Sequence, residues 1–104
     1  VAMCYKAGAK KVSVASAAAE VKYPNVYGID MAARKDLIAS TRSNDEIKDF
    51  LGCDNLVYQS LDDMVQSVLE LNPELKGVEK SIFDGAYPTN ISDKYLEDLE
   101  LKRG

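Results

Sequence analysis

The sequence predicts an α/β fold, and three observations carry that expectation. Val1 to Ala7 is rich in helix formers, stops at Gly8 and gives way to the alternating run Val12-Ser13-Val14-Ala15-Ser16. Helix, glycine and strand in that order are half of a βαβ unit. Leu56-Val57-Tyr58 is a brief apolar run between turn residues, as expected of a buried strand. Leu61, Met64, Val65, Val68 and Leu69 fall on one side of a helix, with Asp62, Asp63, Gln66 and Glu70 on the other.

The remaining elements follow in chain order. Ala17-Ala18-Ala19 is small enough to let backbone approach a ligand or a neighbouring strand. In open parallel sheets ligands bind beyond the carboxyl ends of the strands, so a site is expected after Ser16. Tyr23-Pro24 is biased to extended backbone, and Gly28 permits a turn that a side chain would obstruct. Arg34 to Ser40 reads as a short helix with Leu37 and Ile38 inward. Ser43 with Glu46 is a capping box, opening a helix that buries Ile47, Phe50 and Leu51 and ends at Gly52. Ser60 with Asp63 starts the striped helix, which Asn72-Pro73 ends; its stripe is expected to be core, not a partner groove. Ser81 to Thr89 reads as extended with an Asp84-Gly85 turn. From Ser92 onward the tail reads as a helix with Tyr95, Leu96 and Leu99 on one face.

Composition narrows the function classes. The 104 residues carry a net charge of −4, which argues against the basic footprint of a nucleic-acid binder. Acidic residues crowd Asp45 to Glu74 against a single lysine, Lys48, whereas Lys6, Lys10, Lys11 and Lys22 lie near the start. The acidic stretch needs only solvation; the early lysines suit either ordinary exposure or an anionic ligand nearby. Histidine is missing, which removes the commonest general base and metal ligand. Cys4 and Cys53 are too few for a disulfide framework and are expected to be buried free thiols. No apolar run approaches the roughly 20 residues of a membrane span, and no signal peptide is visible, so the chain reads as cytoplasmic. Val1 falls within helix-like sequence, from which residues 1–104 are expected to be one partial domain of a longer protein.

At Tyr23-Pro24-Asn25-Val26-Tyr27-Gly28-Ile29-Asp30-Met31 the chain resembles the amidophosphoribosyltransferases. The likeness extends to Ala7-Gly8-Ala9-Lys10-Lys11-Val12, Ala15-Ser16-Ala17-Ala18, Asp36-Leu37-Ile38-Ala39 and Asp45-Glu46-Ile47. It continues through Tyr58-Gln59-Ser60-Leu61-Asp62-Asp63 and Phe83-Asp84-Gly85-Ala86-Tyr87, covering nearly the whole chain in order. The resemblance implies the C-terminal portion of a type I phosphoribosyltransferase-like parallel sheet, flanked by helices and followed by a helical tail. It implies a parent enzyme that makes 5-phosphoribosylamine from phosphoribosyl pyrophosphate and glutamine in purine synthesis. The family's glutaminase domain and its acidic, Gly-rich donor-binding motif have no counterpart here, so the piece alone is expected to be inactive and to hold no catalytic residue.

The resemblance also assigns roles. Gly28, Ile29 and Asp30 are implied to lie beside the substrate, with Asp30 facing Mg²⁺ and pyrophosphate through water, a role that suits a carboxylate. From the residues alone, Asp30 is equally a turn or helix-cap aspartate opening the Arg34 segment. Family members that carry an iron–sulfur cluster place cysteines where this chain has Asn25, Glu79 and Ile82; none supplies a thiolate, which implies the cluster-free branch. Many members have proline where Ala19 and Ala32 stand here. Purine nucleotides and a second copy of the full-length chain are the implied partners, with no nucleic acid and no membrane. The competing reading is a non-catalytic α/β module that binds a nucleotide or a protein.

Overall fold

Backbone pairing between two short, distant strands sets the architecture. In the computed structural model, which describes all residues from Val1 to Gly104, α1 (Ala2–Lys6) leads through Gly8 into β1 (Ser13–Ala15). This strand pairs in parallel with β2 (Asn55–Val57), in the register Ser13 to Asn55, Val14 to Leu56 and Ala15 to Val57. The pairing runs beyond the strands, since the Asp54 amide donates to the Val12 carbonyl and the Ser16 amide to the Val57 carbonyl, each at 2.8 Å. Asp54 adds a side-chain tie: the Tyr5 hydroxyl donates to its carboxylate and the Val12 amide donates at 2.8 Å. Those donors, Tyr5 first, hold the Asp54 carboxyl below its ordinary value.

A parallel pair needs a crossover, and here it contains α2 (Asn44–Leu51). Its start is the expected capping box: the Ser43 hydroxyl accepts from the Glu46 amide at 3.2 Å while Glu46 reaches back to the Ser43 amide. Gly52 ends it in the left-handed conformation. Ile47, 1% exposed, packs with Ala39, Cys53 and Leu56, and Val14, Ile38, Leu51 and Tyr58 surround this small core. Burial of free Cys53 is as expected, but Cys4 is exposed because α1 has no neighbour covering it. Phe50 is likewise 65% exposed rather than buried; its ring lies under the Arg42 guanidinium at 4.6 Å.

Two helices beyond β2 form where the sequence reading puts them. α3 (Leu61–Leu71) is capped by Ser60, whose hydroxyl accepts from the Asp63 amide, and α5 (Asp93–Arg103) by Ser92, which accepts from the Tyr95 amide. Neither helix has a buried residue. The α3 stripe is therefore not core within this chain: Leu61, Met64, Val65 and Leu69 are half-buried and Val68 is exposed. A molecule only 20 Å thick along its shortest axis has no second layer to cover them. No helix is long and apolar enough to cross a membrane.

Two local expectations are corrected. Arg34 to Ser40 is not one helix but two 3-10 turns, Arg34–Asp36 and Ile38–Ser40, separated by the extended backbone of Leu37, with Ala39 as the residue turned inward. Ser81 to Thr89 is not extended throughout, because Ser81–Asp84 winds into a short helix, α4. Asp84-Gly85 ends that helix instead of joining strands: the Gly85 amide donates to the Ser81 carbonyl at 2.8 Å, and the Ala86 amide donates to Asp84.

Candidate functional site

The loop from Tyr23 to Met31 follows β1, where a parallel sheet places its ligand site. Residues 26–32 make no backbone–backbone hydrogen bond, so side chains define their path. Asn25 is the centre of that arrangement. It is 3% exposed, and its side-chain oxygen accepts from the amides of Tyr27 at 2.8 Å and Ile29 at 3.1 Å. A buried amide group is costly unless bonded, so this pair of contacts fixes both Asn25 and the turn it encloses. Gly28 sits inside the turn at φ +99°, with open space where a Cβ would lie. The left-handed backbone, not crowding, is the reason for glycine there.

The loop rests on the C-terminal quarter of the chain. The Lys22 and Tyr23 amides donate to the Ile82 carbonyl at 2.9 and 3.0 Å. The Tyr87 hydroxyl donates to the Pro24 carbonyl at 2.7 Å, and burial raises the pKa of that phenol. Tyr27 and Thr89 hydroxyls lie 2.9 Å apart, and the Tyr27 and Tyr87 rings meet edge to face at 6.4 Å between centroids. Gly85, at φ +73°, admits the Tyr23 ring so closely that an added Cβ would meet it at 2.9 Å. The Tyr23 ring also carries the Arg34 guanidinium, 4.8 Å from its centroid.

α5 closes the arrangement. Arg103 donates to the Asn25 carbonyl at 3.1 Å. Glu100 accepts from the Lys35 amide at 3.0 Å and the Arg34 amide at 2.6 Å, capping the first 3-10 turn from another part of the chain. These donors, the Lys35 amide first, keep the Glu100 carboxyl below its usual value.

Gly28, Ile29 and Asp30 come together on the rim of a cavity of about 350 Å³, with Tyr95, Leu99 and Arg103 of α5 on the other side. All three rim residues are exposed, Ile29 at 61%. Asp30 does not cap the Arg34 segment: Ala33 occupies the position before that turn, and the turn's first amides are taken by Glu100. The Asp30 carboxylate forms no ion pair and is open to a ligand. No group of three or more Cys, Asp or Glu side chains converges as a metal site. One exposed carboxylate suits holding a hydrated ion through water.

A larger cleft, about 690 Å³, lies between Pro24, Tyr87, Arg34 and Lys35 on one side and Leu96 and Leu101 of α5 on the other. It contains none of the residues expected at the site. The three positions that the family resemblance singled out for cluster ligands each have a local use: Asn25 holds the loop, Glu79 accepts from the Ser81 amide at 2.8 Å, and the Ile82 carbonyl receives the Lys22 and Tyr23 amides. Sequence reasoning missed Asn25, Glu100 and Arg103 as organisers of the loop. A faint signal existed for Asn25 alone, since an Asn directly after Tyr23-Pro24 and three residues before Gly28 suits a turn closed by its own side chain.

No family model matches the chain. The amidophosphoribosyltransferase of Haemophilus influenzae is 48% identical over 104 residues, which is 99% of this chain and 21% of that protein. The amidophosphoribosyltransferase of Escherichia coli K12 is 46% identical over 102 residues, and that of Saccharomyces cerevisiae 38% over 101. Each of these two alignments takes in 97% of this chain, with 20% of the bacterial and 19% of the yeast protein. The chain therefore spans about a fifth of the length of the curated relatives it matches.

Proposed function

We infer that the chain belongs to the amidophosphoribosyltransferase family, as a segment of it, and that its function is that of the parent enzyme. That enzyme forms 5-phosphoribosylamine from phosphoribosyl pyrophosphate and glutamine in purine biosynthesis. The observation that carries the reading is similarity sustained in order along nearly the whole chain, at 38–48% identity from bacteria to yeast. Residues 1–104 act as the C-terminal part of the phosphoribosyltransferase domain, the glutaminase domain and donor-binding motif lying elsewhere in the parent.

Within that enzyme the Asn25 loop forms one wall of the donor site. Gly28 and Ile29 border the substrate through backbone and packing, and Asp30 faces the pyrophosphate. Mg²⁺, when bound, neutralises charge on the leaving pyrophosphate; Asp30 orients its waters as a hydrogen-bond acceptor. This role requires an exposed, unpaired carboxylate, as Asp30 is, and the turn just before it is tied by the Ile29 amide bonded to Asn25. The absence of cysteine at Asn25, Glu79 and Ile82 supports an enzyme without an iron–sulfur cluster. The same reading gives a cytoplasmic homo-oligomer that binds purine nucleotides, and the uncovered α3 stripe is consistent with burial against other parts of that assembly.

The test is Asp30→Ala in the full-length protein. Phosphoribosyl transfer should fall roughly 10–100-fold, the usual loss for a partner outside the metal's own ligands, with glutamine hydrolysis retained. Unchanged transfer kinetics would refute the role of Asp30. Equal loss of both half-reactions would point to misfolding instead.

A further inference from the structure

We propose that Glu100 and Arg103 are positioning residues, and that α5 is a strut fixing both ends of the loop that carries Asp30. The two side chains lie three positions apart, hence on one face of the helix. From that face Arg103 binds the Asn25 carbonyl, where the loop begins, and Glu100 binds the Arg34 and Lys35 amides, where it ends. Between those anchors residues 26–32 make no backbone–backbone hydrogen bond, and their only main-chain ties are the Tyr27 and Ile29 amides bonded to the Asn25 side chain.

The reverse dependence strengthens the assignment. α5 has no buried residue, and Leu101 beside Glu100 is 80% exposed. The apolar contact of α5 is limited to the half-buried Leu96 and Leu99, so directional polar contacts to the loop are needed to fix where it lies. Charge-assisted hydrogen bonds to backbone groups are the stronger class and are directional. Arg103 also stands across the small cavity from Asp30, so a displacement of α5 changes the cavity's width as well as the loop's path. The structural claim stands on these contacts alone. Its bearing on phosphoribosyl transfer rests on the donor-site reading above.

The experiment uses the full-length protein with Glu100→Ala, Arg103→Ala and the milder Glu100→Gln and Arg103→Lys, with Asp98→Ala on the same helix as control. Hydrogen exchange is followed at the Tyr27 and Ile29 amides, which the Asn25 side chain protects, and, for reference, within α2. Either alanine variant should speed exchange in the loop by roughly tenfold or more, as expected when a charged hydrogen bond is lost. Arg103→Lys, which keeps a cationic donor, should restore most of the protection, and Glu100→Gln should fall between. Asp98→Ala and the α2 amides should not change. In the same variants kcat for transfer should drop more than KM rises. Unaltered loop exchange in both alanine variants, or an equal rise throughout α2, overturns the strut. Faster loop exchange with normal transfer upholds the strut and removes the donor-site role of the loop.

Discussion

The half of the molecule built on β1, α2 and β2 and the half built on the Asn25 loop and α5 are held by different forces. In the first, main-chain pairing brings Val14 beside Leu56, and a short apolar cluster around Ile47 closes over the strands. In the second, little is apolar and buried; Tyr87, Glu100 and Arg103 each bond a main-chain group far away in sequence, and Asn25 bonds the amides two and four residues on. Hydrophobic burial is non-directional and tolerates small shifts, whereas a hydrogen bond fixes an atom to within a few tenths of an ångström. The division suits a scaffold on one side and a precisely held loop on the other.

The contrast breaks most sharply at Ile47. Replacing Ile47 with Ala removes the most buried large side chain of the small core and should cost about 2–5 kcal/mol, the range for such truncations. Denaturant unfolding of the intact protein measures this. Exchange should rise across β1, α2 and β2 together, because they share that cluster.

Asn25→Ala probes the other half and should behave differently. It strips the acceptor from two amides, at about 1–3 kcal/mol for groups left unpaired, partly recovered because Tyr27 and Ile29 can reach water. Exchange should rise at Tyr27 and Ile29 while α2 stays protected. Asn25→Asp keeps the accepting oxygen and should preserve the turn. If Asn25→Ala instead loosened the β1–β2 pair, the two halves would not be separable.

What was legible in the sequence follows the same division. Ser43 with Glu46, Ser60 with Asp63 and Gly52 announce helix ends through neighbours within four residues, and each cap forms as read. Val12–Ser16 is recognisable as a strand by its local alternation and Leu56–Tyr58 by its apolar run, although the second strand is not buried as expected: Leu56 is, while Val57 is exposed. The loop half depends on partners more than sixty residues apart, such as Arg34 with Glu100 and Asn25 with Arg103, and no spacing rule encodes those. The Arg34 to Ser40 segment illustrates the cost. Its composition suits a helix, but Leu37 is extended and divides it into two 3-10 turns, the first of them capped by Glu100 from the far end of the chain. Phe83 and Ile82 suggested a strand, yet Gly85 serves a helix end as readily as a hairpin turn. At the candidate site, Gly28 to Asp30 were nominated by family likeness; the residues that hold them were invisible until the chain was folded.

The smallest expected effect lies in α2 itself, where periodicity put Ile47 and Phe50 on one buried face. The two residues are three apart and point to the same side, but the core is only wide enough for the first. Ile47 meets Ala39, Cys53 and Leu56, whereas Phe50, one turn further on, passes the edge of the cluster and lies against Arg42. An exposed cation–aromatic contact is worth about 0.5–1 kcal/mol, so Phe50→Ala should cost no more than that in this chain. Phe50→Leu, which keeps apolar bulk but loses the ring face, should cost nearly as much as Phe50→Ala. In the full-length protein the comparison becomes a measure of what covers α2. A cost for Phe50→Ala approaching that of Ile47→Ala would mean that another part of the parent enzyme buries the ring, extending the scaffold's core beyond these residues.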